Sequence, residues 1–279
     1  MFPNITSLRT RYATGADTRI TPSPIIWKHY DPERFQLDYD DFRNFDGSVS
    51  GGVGTYRSAA GGYVSYEDTG DSIAALATEH NGVIQLATAA TDNNQCVLQY
   101  GSDTNVQTEL SRGVTTADTD KIVLFESRIR LPAVADGQRI FVGLTQEGQA
   151  ANNFFADADG ALADIDYIGF KIDEGDGDAM KVMYQKNGQA DQTVGTFSTS
   201  LVAATWYKFG FVYNPSNPDD EKIEFYMDGG DLGSYVTLTN MAAATFADEE
   251  ELQVHIGVGA SAATAFKLDV DWWALATQL

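Results

Sequence analysis

Two runs of aromatic and β-branched residues, 206–213 (WYKFGFVY) and 222–229 (KIEFYMDG), most constrain what this chain can fold into. Side chains in such runs fall alternately on two faces, and these residue types favour the pleated, half-buried surface of a sheet. The second run ends in Asp228-Gly229, a pair suited to a tight turn. The two runs therefore read as neighbouring strands.

Similar signals recur along the chain, at 61–66, 83–87, 96–100, 123–131, 140–144, 167–172, 180–184, 252–258 and 266–275. Turn residues such as Thr91, Asp92, Asn93 and Asn94 stand between them. Within 123–131 the alternation puts Val123, Phe125, Ser127, Ile129 and Leu131 on one face. Leu124, Glu126, Arg128 and Arg130 take the other. In the last run, simple alternation puts Leu268, Val270 and Trp272 in the core. It leaves Asp269, Asp271 and Trp273 on the exposed face. Helical patterning is weak, and only 241–251 suggests a short helix. Evenly spaced short strands predict an all-β sandwich or barrel. At 279 residues one such domain can account for the chain.

The formal net charge is −22. A surface so acidic repels phosphate backbones and anionic membranes, which argues against nucleic-acid or membrane partners. The single cysteine, Cys96, lies in an apolar run and reads as a small core residue. The first residues lack the basic-then-apolar pattern of a leader, so the expected site of synthesis and assembly is a cytoplasm. Residues 1–36 differ from the rest: they hold most of the prolines, several arginines and little alternation. They read as an N-terminal arm on a sandwich spanning 37–279, with Ile25, Ile26 and Trp27 as its apolar contact.

Chemistry-bearing patterns are sparse. Asp164 and Asp166 stand at i and i+2, the spacing at which a strand presents two carboxylates on one face, as sandwich glycosidases require. Laminarinase-like glycosidases extend that pair with a third acid, and here Ile168 or Gly169 occupies its place. Asp269 and Asp271 repeat the spacing without a third acid. His29, His80 and His255 stand in unrelated contexts, with no nucleophile elbow near any of them. Asp157 and Asp159 begin like a calcium loop, but Gly160 comes too early for an EF-hand. Asp173, Asp176 and Asp178, in a glycine-punctuated loop, are the candidate calcium ligands. Trp272, Trp273, Tyr207 and Tyr213 are candidates for a sugar-stacking platform, with Trp273 as the exposed-face contact.

Taken together, the segments 21–27 (TPSPIIW), 66–70 (YEDTG), 86–93 (LATAATDN), 125–128 (FESR), 166–170 (DYIGF), 206–211 (WYKFGF) and 270–273 (VDWW) resemble a family of virion proteins of tailed bacteriophages and prophages. That resemblance implies a concanavalin A-like jelly roll of two antiparallel sheets with an extended arm. It implies a non-enzymatic structural protein, a capsid decoration or cement protein on the capsid exterior. Its partners would be the major capsid protein and further copies of itself, most simply in a trimer. No cofactor is implied beyond a possible calcium ion. Assembly contacts would fall on Ile25, Ile26, Trp27 and Trp273. The alternative reading is a carbohydrate-binding, lectin-like module. A laminarinase-like glycosidase is the third, weakened by the missing acid.

Overall fold

The computed structural model describes residues 34–46, 52–58, 61–76, 79, 82–101, 108–110, 121–156, 162–176, 179–196, 201–248 and 250–279. The sequence expectations for the arm up to residue 33, including Ile25, Ile26 and Trp27, lie outside the described residues, as do those for His29, His80, Asp157, Asp159 and Asp178.

The alternating runs form two antiparallel sheets. The eight-stranded sheet runs β15 (Gly230–Val236), β14 (Ile223–Met227), β13 (Trp206–Tyr213), β8 (Val123–Arg130), β17 (Lys267–Gln278), β5 (Ile84–Ala87) and β4 (Ser72–Ala75). β1 (Phe35–Asp40) pairs with the C-terminal half of β17. The nine-stranded sheet runs β12 (Gln192–Thr196), β11 (Lys181–Gln185), β10 (Tyr167–Ile172), β9 (Gln138–Gln146), β16 (Glu251–Ala260), β6 (Gln95–Tyr100), β3 (Gly62–Glu67) and β2 (Gly52–Arg57). β7 (Thr108–Glu109) adds to β16. This is the concanavalin A-like sandwich.

The facing sides of the two sheets bury one core, in which Phe125, Ile129, Phe170, Phe209, Phe211, Phe225 and Val254 are almost fully shielded. The expected pairing of the first two runs is found: Phe211 lies opposite both Phe225 and Phe125. The expected split of β8 also holds. Val123, Phe125, Ile129 and Leu131 enter the core, while Leu124, Glu126, Arg128 and Arg130 belong to the outer side. Phe35 and Gln36, assigned to the arm on sequence, open β1. The expected helix is displaced and shorter. One turn, α1 (Leu238–Met241), is started by a reciprocal cap between Thr237 and Asn240, and Glu251 already belongs to β16.

The last strand departs from simple alternation. Its register against β8 slips between Val270 and Trp272, as a β-bulge does. The extra residue puts Asp271 and Trp272 on the same outer side and turns Trp273 inward. Leu268 and Val270 are core residues as expected, but the parity then reverses. Trp273 is 0% exposed, donates from Nε1 to the Tyr63 hydroxyl at 3.0 Å and packs on the Tyr100 ring at 4.7 Å. Trp272 leaves the central core for the outer face, where it meets Tyr39 at 6.3 Å between ring centroids. The exposed-face expectation for Trp273 is thereby corrected. A side chain with no surface cannot serve as an assembly contact of the folded chain.

Candidate functional site

The outer face of the eight-stranded sheet carries most of the unusual chemistry. Strand pairing sets Trp206 beside Arg130, Lys208 beside Arg128, and Gly210 beside Glu126. On the other flank of β8, Arg130 faces Asp269, Arg128 faces Trp272, and Glu126 faces Ala274. The alternation that points Phe209 and Phe211 inward therefore also builds a polar band on the opposite side.

Within that band each guanidinium has a carboxylate. Arg128 pairs with Asp271, which alternation with Asp269 already places on this side. Arg130 donates from Nε to Asp269 at 2.8 Å and from Nη1 to Glu79 at 3.0 Å. The other oxygen of Asp269 accepts from Gln85 Nε2 at 2.7 Å. Both guanidinium groups lie 4.6 Å from the centre of the Trp206 ring, within range of a cation–π attraction. Trp206 is half-buried, whereas Trp272 and Trp273 are buried. Trp206 is thus the accessible tryptophan among the described residues.

Glu126 occupies the middle of the face and is fully shielded. Neither carboxyl oxygen has a hydrogen-bond partner. Burial pushes its pKa up to about 8, against the opposing pull of Lys208. Burial also lowers the pKa of Lys208. Desolvation outweighs the attraction between these two groups. The small neighbours Gly210 and Ala274 leave room for the carboxyl. A Cβ on Gly210 would come within 2.5 Å of the Phe125 carbonyl oxygen and 3.0 Å of the Glu126 side chain.

The nine-stranded sheet treats its outer face differently. The β9–β10 connection folds back over it and forms a second small core, with Phe154, Phe155, Leu162 and Ile165 packed on Val97, Phe141, Tyr167 and Met183. The Phe155 ring lies where Cβ atoms on Gly257 and Gly259 would stand, 3.1 and 2.9 Å from its carbons. Beneath the Phe154 ring, at 4.1 Å and nearly parallel, lies His255. The sequence signals for this cover are the adjacent pair Phe154-Phe155 and the apolar Leu162 and Ile165 in the same connection.

The candidate residues from sequence are dispersed. Asp164 and Asp166 do not share a strand face, since both precede β10 in the connecting loop. Asp164 accepts from Gly188 N at 2.7 Å and Gln185 Nε2 at 3.1 Å, and Asp166 accepts from Asn187 N at 3.0 Å. Together they pin the β11–β12 turn. In the calcium candidate, Asp173 lies 2.7 Å from Lys171 Nζ, and Asp176 lies 2.6 Å from Lys181 Nζ. Ammonium groups thus occupy the carboxylates proposed for a cation. Among the described residues no group of three or more His, Cys, Asp or Glu is placed to hold a metal ion. Tyr213 is in the core and Tyr207 packs against it, so the sugar platform expected from them and from the tryptophan pair is not assembled. Trp206, which stands on the outer face instead, was missed. Its parity with Lys208 was the available signal.

No protein-family model matches the sequence, and no curated protein matches it. Solved structures do resemble the fold. One is a protein of unknown function from Shewanella oneidensis MR-1, 16% identical, with 100% of this chain and 95% of that chain covered and a TM-score of 0.50. Another is an endo-β-1,4-glucuronan lyase from the fungus Trichoderma reesei, 10% identical, with coverage of 85% and 93% and a TM-score of 0.52. Peanut lectin is 14% identical, with coverage of 74% and 89% and a TM-score of 0.45. For the first two, the likeness at these identities is one of fold alone.

Proposed function

We propose that this protein is a non-catalytic, carbohydrate-binding β-sandwich that contacts its glycan on the outer face of the eight-stranded sheet. The observation that carries the reading is Trp206. It is a half-buried indole on the outer sheet face with the guanidinium groups of Arg128 and Arg130 at its ring, and Asp269, Glu79 and Gln85 extend the polar band beyond them: Asp269 and Glu79 bind Arg130, and Gln85 binds Asp269. A sugar presents C–H groups on its ring face and hydroxyls at its edge. An aromatic ring ringed by planar polar groups suits both.

The same geometry supports binding over bond cleavage. Glycoside hydrolysis needs one carboxyl to donate a proton and a second carboxylate left free to attack or to activate water. Here Asp269, Glu79 and Asp271 are each engaged by a guanidinium, and Glu126 is sealed from solvent. The virion role implied by the sequence resemblance finds no support in this geometry, and carbohydrate binding takes its place.

The test is titration of the protein with a panel of soluble plant, fungal and bacterial polysaccharides, followed by tryptophan fluorescence and calorimetry. Binding by at least one polymer, lost at least tenfold in Trp206→Ala with the melting temperature preserved, is the expected result. Binding unaffected by Trp206→Ala, or release of reducing or unsaturated ends on incubation, would overturn it.

A further inference from the structure

The outer face of the nine-stranded sheet holds a histidine that the proposed function does not use. His255 is 0% exposed. Its Nδ1 lies 3.2 Å from Thr145 Oγ1, and its Nε2 has no partner. The strap of residues 148–156 closes over it, with the Phe154 ring stacked on the imidazole at 11° and the Phe141 ring against its edge.

Apart from that stack, the strap is held by groups that do not titrate between pH 4 and 8. Gln99 Oε1 accepts from Gln149 N at 2.8 Å and Ala150 N at 3.3 Å. Gln95 Oε1 accepts from Phe155 N at 3.0 Å, and Arg139 Nη1 donates to the Ala156 carbonyl at 2.9 Å. The groups facing His255 are Thr145 and Phe141 from β9, Gln99 from β6, Gln253 beside it on β16, and Phe154 from the strap. None carries charge. Farther out on this sheet face, the ionisable groups include Tyr167 and Lys171 on β10, Tyr66 on β3, Glu251 at the start of β16 and Arg139 on β9. Lys171 is paired with Asp173, and Arg139 is bound to Ala156 and Asn93.

We propose that His255 is an acid-sensitive latch, whose protonation releases the Phe154–Phe155 strap from the nine-stranded sheet while the sandwich core stays folded. A charged imidazole has two N–H donors. One of them, at Nε2, has no acceptor while the strap is closed. The attraction of an imidazolium for a phenyl ring is smaller than the hydration it forfeits by staying covered. Opening the strap restores that hydration. The strap belongs to a satellite cluster separate from the central core, so it can open without the sheets parting.

The experiment is hydrogen–deuterium exchange on the whole chain, read on peptides covering 148–156 and on β8, at pH 7.0 and 4.5 after correction for intrinsic rates. An exposed imidazole has a pKa near 6.5, whereas burial depresses that of His255 to about 3. Strap opening should therefore rise about a hundredfold at pH 4.5, while β8 keeps its protection. In His255→Gln the strap should exchange equally at both pH values. If that variant does not fold, the wild-type pH series decides: strap protection should fall with a slope of one proton below pH 6.5. Strap protection independent of pH, the same acid response in His255→Gln, or simultaneous loss in strap and β8 would each overturn the proposal.

Discussion

The two outer faces of this sandwich bury ionisable groups in opposite ways. On the eight-stranded sheet the charges are paired in place. Arg128 meets Asp271, and Arg130 meets Asp269 and Glu79, with Glu126 enclosed among them without a partner. On the nine-stranded sheet a strap of the chain's own phenylalanines covers a neutral histidine. The first arrangement keeps an accessible indole at the surface. The second removes its face from solvent. Binding chemistry is therefore expected on the first face and conformational response on the second.

The sharpest way to break this contrast is at the charge pair. Arg128→Met should cost about 3–5 kcal/mol in chemical denaturation, because the buried Asp271 carboxylate loses the guanidinium that balances its charge. The double variant Arg128→Met with Asp271→Leu should recover most of that loss. A single variant as stable as the wild type would mean that the face is wetter than described. Next in size is Phe154→Ala, expected to cost about 3 kcal/mol through lost burial and a cavity over His255. A cost near zero would show that the strap adds no core.

Proton linkage sharpens the comparison further. Glu126 has a raised pKa, so between about 4.5 and about 8 the folded chain holds more protons than the unfolded one. Its contribution to stability is present in acid and is lost as pH rises through that window. His255 runs the other way. Its pKa is depressed to about 3, so its contribution is present above 6.5 and is lost as pH falls towards 3. Glu126→Gln should gain about 1–2 kcal/mol at pH 8.5 and little at pH 5, once the unpaired amide is counted. Urea melts across pH 4–9 measure both slopes, and slopes of the same sign would refute the contrast. The smallest effect is expected at Trp206. Trp206→Ala should cost under about 1 kcal/mol of stability, since it removes a half-buried ring and its cation–π contacts.

Sequence reading succeeded where alternation was unbroken. β8, β13 and β14 were legible because each sends alternate residues into the central core and to a chemically different outer side. It failed at Asp271, where a bulge changes parity without changing composition, and so both tryptophans were assigned to the wrong sides. β1, β2, β4, β7, β12 and β15 were not separated from loops, because short edge strands such as β12 (QTVGT) carry little apolar pattern. Asp164 and Asp166 looked like a strand pair but serve a turn. The site was legible only in part. The Arg128 and Arg130 parity was visible, whereas their partners Asp271 and Asp269 lie some 140 residues away in sequence.

The position of β17 bears on how the chain is made. It lies between β8 on one side and β5 and β1 on the other, so residues 267–278 join three otherwise separate parts of the eight-stranded sheet: β15–β14–β13–β8, β5–β4 and β1. During synthesis β8 has an open edge until that segment leaves the ribosome. Sheet closure then follows translation of more than two hundred residues beyond β1. A nascent chain stalled before residue 267 should present unpaired backbone along β8, a natural point of capture for chaperones and of self-association.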